Sequence, residues 1–227
     1  FRAAASLWRP SPGMQAVARE IASAIASVYG KTHRALVTDW DNTLWGGEVA
    51  EMGSHGLVCG QETPEGLGYY LLQEYLKNLR PLGILLAGVS RNDPGVARVL
   101  EENTELALSA DDFASLRVGF GPKSDAVEQV SKDLGFGSEF MVFVDDDLFE
   151  IAEVMSAHPA IDVVKAGVDP LATLSSLSEA RFFNAVFLSE DDVERGGRVE
   201  SLQKQRKISS TFSNIDDFLR RIDIHVS

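Results

Sequence analysis

Two aspartates stand two residues apart at the end of an apolar segment, within the run RALVTDWDNTLWGG that covers residues 34–47. Asp39 and Asp41 come directly after Ala35–Thr38, and Thr43 follows them before a pair of glycines. Burial of an unpaired carboxylate is costly, so acidic side chains at the end of a buried strand indicate contact with a metal ion or a substrate. Carboxylate oxygens are the ligands that Mg²⁺ prefers, and Mg²⁺ commonly accompanies phosphate.

Three later apolar segments also end in polar residues. These residues are Ser90, Arg91 and Asn92 after 84–89, Lys123 in the loop after a weaker strand candidate at 116–120, and Asp145 and Asp146 after 140–144. In an open parallel sheet the carboxyl ends of the strands lie at one edge, where ligands bind. We therefore expect all these side chains to meet at one site.

The residue types predict Mg²⁺-assisted phosphoryl transfer. Asp39 and Asp145 are the candidate metal ligands, with the backbone carbonyl of Asp41 as a third and Asp146 as a further or outer ligand. An aspartate can attack phosphorus, and an acid two residues further on can protonate the leaving oxygen and then activate water. A hydroxyl and an ammonium group can hold the phosphoryl oxygens. The candidates for binding phosphate or substrate are Thr43, Ser90, Arg91, Asn92 and Lys123.

The elements that must position these residues alternate along the chain. Helical patterns at 65–79, 93–103, 124–134, 149–157 and 170–177 separate the apolar segments, the last of which is 161–164. This order predicts an α/β fold, a three-layer α/β/α Rossmann-like parallel sheet. We expect an N-terminal helix packed on the core within 1–30, the α/β domain at 31–188 and a C-terminal helical extension at 189–227. The glycine-rich residues 44–64 predict a small flap or cap after the first strand.

Composition excludes some classes of function. The net charge of −13 argues against nucleic-acid binding. No apolar run is long enough to span a membrane, and no secretory leader is recognisable. The single cysteine, Cys59, excludes an intrachain disulfide and suits a reducing environment, so we expect a cytoplasmic protein. The chain starts at Phe1 rather than Met, which suggests a piece of a longer protein.

The ordered motifs resemble those of the haloacid dehalogenase-like (HAD) superfamily. Its DxDxT signature corresponds to Asp39, Asp41 and Thr43, and its Ser, Lys and paired-Asp motifs follow in order. The resemblance implies that Asp39 is the nucleophile and Asp41 the general acid and base, with Mg²⁺ as cofactor.

A closer resemblance is to the FkbH-like branch of that superfamily, and it extends over roughly residues 7–219. It is carried by the run DNTLWGG at 41–47, by the SKND-like residues 90–93 and by the FxDD-like residues 143–146. It implies that the protein takes a glyceryl or related three-carbon acyl unit from 1,3-bisphosphoglycerate and loads it onto an acyl carrier protein in polyketide biosynthesis. Such proteins occur free-standing or as modules of larger synthases.

Acyl transfer of this kind requires a thiol, and the resemblance makes Cys59 the candidate thioester carrier. From its position alone, Cys59 is better explained as a small buried apolar side chain. Two other functions therefore stay open. One is a plain small-molecule phosphatase with a structural cysteine, and the other is a non-catalytic module that docks a carrier protein.

Overall fold

A computed structural model describes residues 32–183 and, before them, residues 13–14, 17–18, 21–22 and 24–25. Its centre is a five-stranded parallel sheet with the strand order β3-β2-β1-β4-β5. The strands are β1 (Ala35–Thr38), β2 (Leu85–Ser90), β3 (Ser115–Val118), β4 (Met141–Asp145) and β5 (Asp162–Lys165). The strand that leads into Asp39 is therefore the central one.

Helices connect the strands and cover both faces of the sheet. They are α1 (Val49–Met52), α2 (Pro64–Leu79), α3 (Val99–Glu102), α4 (Lys123–Leu134), α5 (Leu148–Ala157) and α6 (Pro170–Ala180). Single 3₁₀ turns lie at Arg80–Leu82, Pro94–Arg98, Ala110–Asp112 and Ser138–Phe140.

The sheet separates two hydrophobic clusters because successive strand residues point to opposite faces. Leu36 packs with the apolar sides of α2 and α6 in one cluster. Its neighbours Ala35 and Val37 pack with those of α4 and α5 in the other. The three-layer α/β/α architecture predicted from the sequence is thereby confirmed.

Local sequence explains where the helices around the site begin. The Thr63 side chain accepts a hydrogen bond from the Gly66 amide, and Pro64 occupies the first turn of α2. Asp147 caps α5 by accepting from the Phe149 amide, and α4 begins at Lys123 directly after Pro122. The cap of α5 and the start of α4 thus place polar residues at the carboxyl edge of the sheet.

The flap predicted at residues 44–64 is not confirmed. Leu44, Trp45, Leu57 and Cys59 are all buried in the cluster that covers one face of the sheet. Gly46 and Val58 pair as an antiparallel bridge that closes the segment on itself around α1. The segment is therefore attached to the core through these four buried side chains, whereas its Met52 and Val58 are exposed.

The structure describes part of the predicted N-terminal helix and none of the predicted C-terminal extension. The described residues between 13 and 25 are helical, and Met14, Val17, Ile21 and Ile25 are 53–66% exposed. Packing of this helix on the core and the domain boundaries at 30 and 188 stay predictions, and the extension at 189–227 lies outside the described residues. In the part of the chain that is described, no helix combines the length and apolar character needed to cross a lipid bilayer.

Candidate active site

Three carboxylates meet at the carboxyl edge of the sheet. Asp39 follows β1, Asp145 is the last residue of β4, and Asp146 comes next in the chain. One oxygen of each carboxylate lies within 4.8 Å of the other two. Asp39 and Asp145 are brought together because β1 and β4 pair in parallel and in register, with Thr38 opposite Val144.

Lys123 links the two buried aspartates from the start of α4. Its Nζ lies 2.9 Å from Asp39 Oδ1 and 2.6 Å from Asp145 Oδ2. All three side chains are almost fully buried. Burial alone lowers the pKa of Lys123, but the two aspartates outweigh it and the net pKa is raised, so the ammonium form is favoured.

One lysine does not offset two buried negative charges. The pKa of Asp39 is raised to about 7, because burial and, less strongly, the charge of Asp145 raise it against the opposing effect of Lys123. Burial likewise raises the pKa of Asp145 and of Asp146. Burial therefore favours the protonated forms of these carboxyl groups, and a further cation would favour the ionised forms.

The arrangement suits a hard divalent cation. Asp39, Asp145 and Asp146 supply only oxygen ligands, and their excess negative charge is what such an ion would neutralise. The carboxylate of Asp41 is not part of this group, and a role for its backbone carbonyl stays a prediction. The three-aspartate cluster can therefore hold the metal ion that the sequence predicted.

The Asp41 carboxylate is instead fixed by three donors. Trp45 Nε1 lies 2.9 Å and the Val49 amide 3.2 Å from Asp41 Oδ1. Asn92 Nδ2 lies 2.8 Å from Asp41 Oδ2 and 3.1 Å from Ser90 Oγ. The predicted residues Asp41, Ser90 and Asn92 therefore form one hydrogen-bonded group beside the metal ligands.

Thr43 brings an unsatisfied polar group to the turn after β1. Its side chain is 1% exposed, and its hydroxyl has no hydrogen-bond partner within the described part of the chain. Asn42, at φ 56°, shapes the same turn, and its side-chain oxygen accepts from the Gly47 amide at 3.0 Å. A buried hydroxyl without a partner is costly, so this group is a candidate for bonding to a ligand.

Arg91 and Cys59 are placed differently from the other candidates. Arg91 is half-exposed and forms an ion pair with the buried Glu150 of α5. The Cys59 thiol is buried beside Asn103, whose Nδ2 lies 3.5 Å from Sγ, and beside Glu105. Burial raises the pKa of Cys59, so this thiol stays protonated at neutral pH, and no residue of the acidic cluster is among its partners.

Sequence reasoning did not identify the partners of two of these side chains. Trp45 was seen as part of a motif but not as the donor that fixes Asp41. The pairing of Arg91 with Glu150 was not predicted either. The bond from Trp45 to Asp41 could be predicted from the local sequence, because the tryptophan follows the acid by four residues in a tight turn. The pairing of positions 91 and 150 depends on the tertiary fold.

Several solved structures resemble this chain. The N-terminal part of protein BF1531 from Bacteroides fragilis, described as containing a phosphatase domain complexed with Mg, is 32% identical to this chain with a TM-score of 0.71. The match covers 74% of this chain and 45% of that one, so the chain spans less than half the length of this relative. The likeness confirms the HAD-like α/β fold, which is that of a phosphatase domain.

Two further solved structures resemble the chain more distantly. A HAD family enzyme from Bacteroides thetaiotaomicron, in complex with magnesium and inorganic phosphate, is 14% identical with a TM-score of 0.44, over 60% of this chain and 96% of that one. Deoxy-D-mannose-octulosonate 8-phosphate phosphatase from Haemophilus influenzae, in a cobalt-bound form, is 18% identical with a TM-score of 0.42, over 71% and 96%. Neither protein-family models nor curated protein sequences match the chain.

Proposed function

We propose that this chain, which has the HAD-like fold, is a Mg²⁺-dependent phosphatase that acts on a small phosphorylated molecule. The observation that carries the proposal is the cluster of Asp39, Asp145 and Asp146 around Lys123, with its excess of buried negative charge. The Mg-bound phosphatase domain of BF1531 supports the choice of metal and of reaction.

The proposed reaction assigns a residue of the chain to each step. Asp39 attacks phosphorus, and the bond to the leaving oxygen breaks as an aspartyl-phosphate forms. Asp41, held by its three donors, gives a proton to that oxygen and then takes one from the water that hydrolyses the aspartyl-phosphate. The buried Lys123 ammonium and the unpartnered Thr43 hydroxyl bind phosphoryl oxygens.

Asp39, Asp145 and Asp146 would hold the Mg²⁺ ion. When bound, the ion would neutralise charge on the phosphoryl oxygens and hold them against Asp39. Asn92, whose side chain donates to both Asp41 and Ser90, keeps the general acid beside the leaving oxygen.

Substitution of the two acids separately tests this proposal. Asp39→Asn should lower Mg²⁺-dependent phosphate release by about a thousandfold or more, because the nucleophile is lost. Asp41→Asn should slow hydrolysis of alkyl phosphates much more than that of p-nitrophenyl phosphate, whose leaving group needs no proton. Asp125→Asn, at an exposed acid in the first turn of α4, is the control. Full activity in Asp39→Asn would refute the assignment.

A more specific second function is loading of a three-carbon acyl unit from 1,3-bisphosphoglycerate onto an acyl carrier protein, within a larger synthase. The sequence run at residues 41–47 favours it, and Cys59 is the only thiol available for a thioester. Since Cys59 is 7% exposed and stays protonated at neutral pH, this function requires residues near Cys59 to move outward before the thiol reacts.

Intact-protein mass spectrometry after incubation with 1,3-bisphosphoglycerate and Mg²⁺ tests the second function. A glyceryl adduct that is absent in Cys59→Ala and transfers to a phosphopantetheine thiol supports it. An adduct that persists in Cys59→Ala, or phosphate release without any adduct, leaves only the phosphatase function.

A further inference from the structure

Tyr69 is a buried polar side chain that the proposed reaction does not use. It lies in the second turn of α2, the helix that starts at the carboxyl edge of the sheet because it connects the end of β1 to the start of β2. The side chain is 7% exposed, yet it belongs to neither hydrophobic cluster of the described residues. Leu72 and Leu76, further along the buried side of the same helix, do belong to one. Tyr69 is therefore buried outside the apolar core.

The Tyr69 ring packs on the turn that holds the proposed general acid. A Cβ on Gly46 would lie 3.1 Å from Tyr69 Cε2 and 3.5 Å from Cζ, the carbon that carries the hydroxyl. Gly46 directly follows Trp45, whose indole donates to Asp41. A side chain at position 46 would crowd the ring, so this glycine lets the phenol lie beside the site.

The Tyr69 hydroxyl is a donor without an acceptor. Burial, followed by the charges of Asp146 and Asp169, raises the pKa of Tyr69, so the phenol keeps its proton at neutral pH. It nevertheless forms no hydrogen bond with either acid or with any other described residue, and Asp169 accepts from the Leu171 amide instead. The hydroxyl is not one of the fully buried unpaired atoms of the described residues, so it keeps contact with solvent. A ligand at the site can therefore reach it.

Tyr69 and Lys123 come from opposite layers of the fold. α2 packs on one face of the sheet, and α4, which begins at Lys123, packs on the other. Lys123 contacts Asp39 and Asp145, whereas the charge that acts on Tyr69 is that of Asp146, the half-buried member of the three-aspartate cluster. The two donors thus approach the cluster from different sides.

We infer that the Tyr69 hydroxyl donates a hydrogen bond to a phosphoryl oxygen of the bound substrate, on the side of the site opposite Lys123. The inference rests on the proposed phosphatase function, in which Asp39 attacks phosphorus at this cluster. Hydrogen bonds from a hydroxyl to an anionic oxygen are among the stronger ones. Tyr69 is then a substrate-binding residue that fixes the phosphoryl group, and no proton leaves the phenol.

Tyr69→Phe tests this inference, because it removes only the hydroxyl and keeps the ring against Gly46. In the full chain with Mg²⁺, KM for p-nitrophenyl phosphate and the inhibition constant of inorganic phosphate should both rise by about tenfold. The value of kcat should change by less than about threefold, since the same bond is present before and during the reaction. Thermal unfolding should be unchanged, because the hydroxyl bonds to no described part of the chain.

Tyr75→Phe is the matched control. Tyr75 lies further along α2 and is also partly buried, but burial is the only cause that raises the pKa of Tyr75, and no acid contributes. Removal of this hydroxyl should leave both constants as they are in the unmodified chain.

The possible failures are distinguishable. If Tyr69→Phe leaves both constants unchanged, the inference is overturned and the phosphatase function stands. A rise in KM for the ester without a rise for inorganic phosphate also overturns it, because the hydroxyl would then contact the leaving group. If no ester releases phosphate, the phosphatase function fails. Calorimetric titration with inorganic phosphate in Mg²⁺ then decides the inference, since equal affinities of the two chains, or no binding to either, would overturn it.

Discussion

At the scale of single residues, the central feature is that two buried aspartates share one lysine. Lys123 contacts both Asp39 and Asp145, and Asp146 adds a third acid at the same edge of the sheet. Because burial raises the pKa of all three acids, protons and a metal ion compete for the same oxygens.

The affinity for Mg²⁺ should therefore depend on pH near neutrality. The pKa of Asp39 is about 7, so this carboxyl group is mostly ionised at pH 8 and mostly protonated at pH 6. Proton competition at this one group weakens binding by about tenfold between these two pH values, and Asp145 and Asp146 add to the effect. Titration of the metal-free chain with Mg²⁺ at both pH values measures it. Equal affinities would show that Asp39 is not a ligand.

Most of the candidate site could be predicted from the sequence, because its residues directly follow buried strands. Asp39, Ser90, Lys123 and Asp145 were all expected at one edge, and the structure brings them together there. The surroundings of Cys59 could not be predicted, because its partners Asn103 and Glu105 are more than forty residues away in the chain. Its burial follows from the packing of the whole segment 44–64.

At the scale of elements, α2 is tied to the site by one buried polar side chain. Gln73 is 1% exposed, and its Nε2 donates to the carbonyl of Leu44 at 2.8 Å. Its Oε1 accepts from the amides of Ala107 and Leu108 at 2.9 and 3.2 Å. One side chain thus satisfies three backbone groups and connects the turn after β1 to the segment that leads to β3.

Gln73→Leu should destabilise the protein by about 2–4 kcal/mol, because it removes these bonds and leaves buried backbone groups unsatisfied. Chemical denaturation measures the change in the free energy of unfolding. Gln129→Leu, at an exposed position of α4, is the control and should change stability by less than about 0.5 kcal/mol. If Gln73→Leu lowers the free energy of unfolding by less than about 1 kcal/mol, water forms the hydrogen bonds to these backbone groups instead.

The elements themselves were largely predictable, and the exceptions have physical reasons. The strand expected at 84–89 is Leu85–Ser90, and the weak candidate near 116–120 is Ser115–Val118. The helix expected at 93–103 is instead a 3₁₀ turn followed by α3, with Pro94 and Gly95 at its start. The glycines of 44–64 predicted a flap, but the buried apolar residues of this segment pack onto the core.

At the scale of the whole molecule, the site joins the two hydrophobic clusters. Trp40, directly after Asp39, is fully buried in the cluster with α2, whereas Lys123 begins α4, which packs on the opposite face. A Cβ on Gly88 of β2 would lie 2.5 Å from Trp40 Nε1, so glycine is required there for the indole to pack across the sheet. A ligand at this edge therefore contacts elements from both layers.

Mg²⁺ should consequently stabilise the entire fold. At a concentration of about 100 times its dissociation constant, a ligand adds about 2.7 kcal/mol, which corresponds to roughly 5–10 °C in Tm for a domain of this size. Thermal unfolding in MgCl₂ and in NaCl of equal ionic strength measures the part of the Tm increase that is specific to Mg²⁺. Asp145→Asn should abolish it, and an undiminished shift in this variant would contradict the metal site.

The position of Lys123 also affects whether the chain folds before or together with metal binding. In proteins whose charged ligands have no partner before the metal arrives, folding and metal uptake are a single process. Here an internal ammonium already lies between Asp39 and Asp145, so the chain can complete its fold without an ion. The chain should therefore be folded before the ion binds, so that folding and Mg²⁺ binding are separate events.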